Sequence, residues 1–228
     1  SLYVIEDAAE AFGSCQNKKP LGSFGATGCF SFSPAKTITT GQGGMITTSD
    51  ENLHGRLREL KDQGRPKRGT GGDDTHISVG FNFKFTDLQA AVGLAQLQTI
   101  EERKIKLQRQ FEIYSKNILA NEFLRFPGFD LKGGEFPQWT DVYAQDRNGL
   151  DSFLESQNAH CRRFWHPLHT QAPYRRSSSD FPGSTAVSNH GLWLPSSLDL
   201  TEDDLLHICD LVNEWAQKHA RTQEKVMS

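Results

Sequence analysis

Lys36 lies in a loop of small, hydroxyl-bearing and glycine residues, SFSPAKTITTGQGG over positions 31–44, between two apolar runs. A surface lysine is ordinarily a solvated charge. This one is flanked by Ala35 and Ile38 and followed by glycines that let a backbone approach something closely. Upstream, the apolar run Leu2-Tyr3-Val4-Ile5 ends in the acidic pair Glu6 and Asp7. A carboxylate at the C-terminal end of a parallel strand sits where open α/β sheets bind ligands, although Asp7 could equally cap a helix. Lysine, aspartate, Ser31 and a glycine-rich turn are together what pyridoxal phosphate requires. The amine forms a Schiff base with the aldehyde, and the carboxylate keeps the pyridinium nitrogen protonated so that the ring accepts electrons. Hydroxyls and backbone amides hold the phosphate. The order GxxxxGK[ST] of a nucleotide-binding P-loop is absent.

The elements that must position these groups follow from the pattern around them. Residues 2–5 read as a strand buried on both faces of a parallel sheet. Ala8–Phe12 reads as a helical turn and Asn17–Gly25 as a turn-rich loop. Gly28–Phe32 and Met45–Thr48 read as the next strands, and Ser49 and Asp50 offer an N-cap to a helix over 51–61. Residues 64–80, rich in glycine with alternating charge, read as an exposed loop. From a Thr86 cap, Leu88, Ala91, Val92 and Ala95 keep helical spacing, and one long helix is expected to about Leu119. The expected domains are therefore 1–119, ending in a connecting helix, and a small α/β domain over 120–228, with a loop at Ser177–Ser179 and a last helix near 201–220.

Composition narrows the function. The 228 residues carry 25 Lys+Arg against 28 Asp+Glu, a formal charge of −3, which argues against a general nucleic-acid binder. No apolar stretch is long enough to span a bilayer, so no membrane partner is expected. Cys15, Cys29, Cys161 and Cys209 form no CxxC pair or disulfide framework, and the expectation is reduced thiols in the cytoplasm. His160, Cys161, His166 and His169 invite a metal, but their spacing is loose and Pro167 stiffens the middle of the group, so no metal site is expected. Trp139, Trp165 and Trp193 read as core or interface aromatics. Arg162 and Arg163 read as contacts for a diphosphate or as a solvated pair.

VIEDAAEAFGS, PLGSFGATGCFSFSPAKTITTGQGGMITT and GFNFKFTDLQAAVGLAQL resemble the DegT/DnrJ/EryC1/StrS family of sugar aminotransferases, and FWHPLHTQAPY and LWLPSSLDLTEDDLLHICDLVNEW resemble its C-terminal domain. Within the family the wording is most similar to the perosamine-forming branch. The resemblance implies the aspartate aminotransferase-like fold of pyridoxal-phosphate enzymes, fold type I, here a partial large domain plus a C-terminal small domain. It implies Lys36 as the Schiff-base lysine and proton shuttle, Asp7 as the pyridinium partner, Glu10 near the ring hydroxyl and Ser31 on the phosphate. Asn82 would reach the phosphate bound in a partner subunit, which implies a homodimer with active sites at the interface. His166 and His169 would lie near the sugar nucleotide, the alternative being a structural loop. Lys84 stands where the family pattern has Arg, and Gln42 where it more often has Glu.

The implied reaction, in polysaccharide (O-antigen) biosynthesis, transfers an amino group from glutamate to a nucleotide-linked keto-deoxysugar, with GDP-4-keto-6-deoxymannose the best guess. A related branch dehydrates sugars with His in place of the lysine, and Lys36 argues against it. The alternative is a non-catalytic fragment. The family's phosphate-gripping Gly-Thr pair and ring-stacking aromatic are not found, and Leu2–Ile5 would leave a sheet edge unpaired, so the natural protein is expected to be longer.

Overall fold

The structure is a computed structural model that describes residues 2–66 and 74–227, with side chains of the last helix described through residue 219. Two compact units emerge, the first formed by Ser1–Lys104 with Asp130–Gln138, the second by Ile105–Phe129 with Trp139–Ser228. The chain thus passes between units at 104/105, 129/130 and 138/139, and the expected division after residue 119 falls inside the second.

In the first unit, β1 (Ile5–Asp7) pairs parallel with β4 (Thr27–Ser31), which pairs antiparallel with β5 (Gly44–Thr47). The sheet is mixed rather than all parallel. A two-stranded ribbon, β2 (Cys15–Gln16) with β3 (Lys19–Pro20), interrupts what read as a plain loop. Its turn residues Asn17 and Lys18 both have positive φ, 52° and 64°, the twist that a two-residue hairpin turn requires. The strand expected at 2–5 begins only at Ile5, and it is not buried: Leu2 and Tyr3 are 96% and 89% exposed. β1 is an edge strand.

Helix α1 (Glu51–Lys61) has the expected bounds because Asp50 accepts from the backbone N–H of Asn52 and Leu53. Of the loop expected at 64–80, residues 67–73 lie outside the described residues. The remainder is tied back by hydrogen bonds such as Ile77 N–H to Gly64 O. Helix α2 (Asp87–Leu97) starts in a reciprocal capping box between Thr86 and Gln89. The single long helix does not form. The chain breaks at Gln98–Thr99, where the Thr99 hydroxyl donates back to Gln96 O, and resumes as α3 (Ile100–Asn117). The apolar positions of α2 are on the surface: Leu88 is 76% exposed.

The second unit is a four-stranded antiparallel sheet in the order β6 (Leu124–Arg125), β7 (Asp141–Ala144), β9 (Gly191–Trp193), β8 (Arg162–Arg163). Helices α4 (Arg147–Ser156), α5 (Pro182–His190) and α6 (Glu202–Met227) complete it. Its core joins Tyr114, Leu124, Val142, Leu150, Leu154, Leu192 and Val212. The expected loop at Ser177–Ser179 is instead part of a 3-10 turn, Ser178–Asp180, in which the Ser177 hydroxyl accepts from Ser179 N–H. Trp193 is buried and packs at a tilt against Trp139, whereas Trp165 is exposed and carries the Arg162 guanidinium 4.2 Å from its ring centre. Arg163 pairs with Asp151.

Candidate active site

The Lys36 loop is a closed excursion from a strand pair. Ser31 and Gly44 face each other in the β4–β5 register, and just beyond them Phe32 N–H bonds Gly43 O and Thr40 N–H bonds Phe32 O. Two threonine hydroxyls are consumed inside the loop, Thr39 on Phe32 O and Thr40 on Gln42 O. Position 43 has φ +149°, and a Cβ there would fall 2.7 Å from the Phe85 ring, so the close approach of loop and ring requires glycine. Ile38, Thr37 and Thr40 are buried.

Lys36 projects from this scaffold with its side chain only 12% exposed, and its Nζ lies 2.8 Å from Glu10 Oε1. Asp7 ends β1 beside Cys29 of β4, and its Oδ1 accepts from Ala9 N–H at 3.1 Å. Ser31 at the end of β4 exchanges hydrogen bonds with Ser33, both 3.3 Å long. These residues therefore offer an amine, a carboxylate beside it, a second carboxylate at a strand end and a hydroxyl pair. That donor set fits an aldehyde-bearing phosphorylated pyridine.

Glu6 shows why two adjacent carboxylates do different things. Successive strand residues point to opposite faces. While Asp7 points one way, Glu6 accepts the backbone N–H groups of Gly25, Gly22 and Phe24. The Gly25 N–H first, then those of Gly22 and Phe24, hold its carboxyl below the ordinary value, against a smaller opposing effect of burial. Glu6 organises the 22–25 turn.

Asn82 is exposed and its backbone bridges Asp62 at the end of α1. Lys84 pairs with the buried Asp62, which also binds Arg65 at 3.0 Å. The Lys84 bond, more than burial, decides the outcome, and the Asp62 carboxyl is held below the ordinary range. In the second unit, His169 is buried, stacked on Phe181 with ring centres 4.7 Å apart, and its Nε2 lies 3.3 Å from Thr185 Oγ1. His166 is exposed. Among the described residues no group of three or more His, Cys, Asp and Glu is placed to hold a metal ion.

Three residues that hold the lysine loop carry no local sequence signal. Gln96 Oε1 accepts from Thr39 N–H at 2.8 Å, Arg103 donates to Thr37 O at 3.4 Å, and the buried Gln138 meets Thr37 Oγ1 at 3.5 Å. Each lies at least 57 residues away along the chain.

Residues 1–213 match the model of the DegT/DnrJ/EryC1/StrS aminotransferase family. The chain is 33% identical to the GDP-perosamine synthase of Escherichia coli O157:H7, over 94% of this chain and 58% of that protein. It is 35% identical to a putative pyridoxal phosphate-dependent aminotransferase, EpsN, of Bacillus subtilis, over 88% of this chain and 53% of that one. A crystal structure of a DegT DnrJ EryC1 StrS aminotransferase from Brucella abortus superposes with a TM-score of 0.83 at 25% identity, over 94% of this chain and 57% of that one. The chain thus spans somewhat over half the length of the relatives it matches, and its fold is part of the α/β fold type I of these enzymes. With its lysine loop, strand-end aspartate and nearly full-length family match together, the chain belongs to the DegT/DnrJ/EryC1/StrS aminotransferase family.

Proposed function

We propose that this chain carries the lysine side of a pyridoxal-phosphate site that transfers an amino group from glutamate to a nucleotide-linked keto-deoxysugar. The pairing of Lys36 with Glu10 at the closed end of the β4–β5 loop carries this reading. When bound, the cofactor supplies an electron-accepting ring. Lys36 Nζ would hold the cofactor and, when free, would move a proton at the substrate carbon. Asp7 would pair with the ring nitrogen, Glu10 would orient Lys36, and Ser31 would hold the phosphate. His166 would lie near the sugar nucleotide, whereas His169, buried and stacked on Phe181, fits the alternative of a structural loop.

GDP-4-keto-6-deoxymannose is the substrate to try first, because the named GDP-perosamine synthases are similar over nearly all of this chain. Asn82 would serve the site of a second copy. Its neighbours Phe81 and Phe83 stack 5.0 Å apart and are largely exposed, as is Leu88, an apolar surface suited to a homodimer. Sedimentation velocity would show the dimer, and a monomer at micromolar concentration would remove it.

A second reading is that the chain holds these residues without completing turnover by itself, favoured by its coverage of somewhat over half of each relative. Adding pyridoxal phosphate tests both. A visible absorbance band that is lost in Lys36→Ala supports the site, and turnover of keto-sugars with glutamate separates the two readings. No band in the folded, full-length protein rejects the proposed cofactor site.

A further inference from the structure

A row of polar side chains on α2 and α3 meets the lysine loop step by step. Gln89 Nε2 donates to Gln42 O at 2.8 Å, Gln96 Oε1 accepts from Thr39 N–H at 2.8 Å, and Arg103 Nη1 donates to Thr37 O at 3.4 Å. Helix positions rise as loop positions fall, so the helices run antiparallel along residues 37–42. Gln89, Gly93 and Gln96 recur at i, i+4 and i+7 and share one face of α2. A Cβ at Gly93 would come 3.0 Å from Thr40 Cγ2, so this glycine sets how closely α2 approaches the loop. Leu88 and Leu94 lie off this face and are exposed. The side that α2 turns to the loop is the polar one.

The row survives the break at Gln98–Thr99. The Thr99 hydroxyl donates to Gln96 O and accepts from Arg103 Nε, each at 3.1 Å, and so ties the Arg103 fork to the end of α2. All three contacts with the loop go to its backbone, and they fix the path of the chain just beyond Lys36. On the other side, Lys36 N–H bonds Ser33 O at 3.1 Å. Thr37, Ile38 and Thr40 are buried, so the loop cannot slide along α2 without exposing them and orphaning backbone groups.

We propose that this polar row is a template that aims Lys36, with Gln96 and Arg103 as positioning residues acting through Thr39 and Thr37. Misplacing a reacting group by about 1 Å costs about 10²-fold in rate, so a helix that fixes the backbone next to the lysine governs its reactivity. The template rests on hydrogen bonds within the first unit. That the aimed amine serves amino transfer rests on the function proposed above.

Acetic anhydride, applied to the folded full chain without cofactor at a series of pH values, labels Lys36, and peptide mass mapping reads the extent. Gln96→Leu removes the acceptor but keeps a good helix former, whereas Gln96→Glu keeps the acceptor. Labelling of Lys36 is expected to rise about threefold to tenfold in Gln96→Leu, the factor that one hydrogen bond of ordinary net strength is worth, and to return in Gln96→Glu. Lys116, exposed in the second unit, is the internal control. Equal labelling in Gln96→Leu and the unmodified chain overturns the proposal, as does a Gln96→Glu that labels like Gln96→Leu.

The pH profile separates aiming from loosening. A lysine turned away from Glu10, now 2.8 Å from its Nζ, changes the pH at which it is half reactive. A lysine that is only more open gains the same factor at every pH. A displaced midpoint supports the template and a uniform rise overturns it. Where Gln96→Leu fails to fold, Arg103→Lys replaces it, because an ammonium keeps the charge but lacks the fork that reaches both Thr99 and Thr37. The same displaced midpoint is expected there, and an unmoved one overturns the proposal. The labelling needs no cofactor, so its failure and the failure of the amino-transfer reading are told apart.

Discussion

Lys36 Nζ and Glu10 Oε1 lie 2.8 Å apart across 26 residues of chain, a charge-assisted contact between the lysine loop and the turn that follows β1. Glu10→Gln keeps an acceptor in place but removes its charge, and such bonds are about twice as strong as neutral ones. Transamination is expected to fall about tenfold, corresponding to about 1.4 kcal/mol. Lys36→Ala should lose about 10²–10⁴-fold together with the absorbance band. Equal rates for Glu10→Gln and the unmodified protein would show that the contact does not orient the lysine.

Asp7→Asn keeps the shape of the strand end and removes the charge proposed to face the ring nitrogen. The cofactor's absorbance band should persist while turnover drops by about 10²-fold or more, as expected for loss of a positioned proton-holding group. Stopped-flow absorbance with glutamate separates the two effects. Undiminished turnover would remove Asp7 from this role.

Glu6 makes stability depend on acidity. Its carboxyl, held below its ordinary 4.5 by the Gly25, Gly22 and Phe24 N–H groups, contributes stability that is present above about pH 4.5 and lost as the pH falls below it. Glu6→Gln should melt several degrees lower at pH 7, with the difference from the unmodified chain narrowing in acid. Parallel melting curves at both pH values would contradict this.

Burial pushes the Cys161 thiol up to about 12, with Asp151 adding to the shift, and the Cys209 thiol up to about 11, with Asp210 adding. The nucleophile is the thiolate, whose fraction at pH 8 is lower for Cys161 by about a thousandfold than for an ordinary thiol. Alkylation followed by peptide mass mapping should find Cys161 at least 100-fold slower in the folded chain than in urea. Comparable rates would show that the second unit opens readily.

Leu192, fully buried in the middle of β9, packs between the sheet and the helices of the second unit. Leu192→Ala should cost about 2–5 kcal/mol in urea unfolding, the range for a large-to-small change in a packed core. A loss under about 1 kcal/mol would mean that the site collapses around the cavity.

Features encoded within a few residues were legible before any coordinates. Asp50 and Thr86 announce their helices because a cap is a bond between side chain and backbone two or three positions on. The strand end at Asp7 and the loop around Lys36 were legible for a different reason, since apolar runs flank them. The break at Gln98–Thr99 was not, because neither glycine nor proline marks it. Nor was the exposure of Leu2–Ile5 and Leu88, since an apolar run predicts that a surface will be covered but not by what. The support of the lysine loop by Gln96, Arg103 and Gln138 is long-range, and no local pattern encodes it.

The Ser31–Gly44 pair has a consequence for the order of folding. It closes a loop of 12 residues, 32–43, so the lysine's immediate surroundings form from contacts close in sequence. Local closures form in well under a microsecond to microseconds, whereas distant ones come later. The expected order is that the hairpin closes before Gln96, Arg103 and Gln138 lock the loop, and φ-values at Phe32 and Gln96 would check it. Slowing those late contacts should yield a chain whose hairpin is formed while its lysine is still poorly aimed.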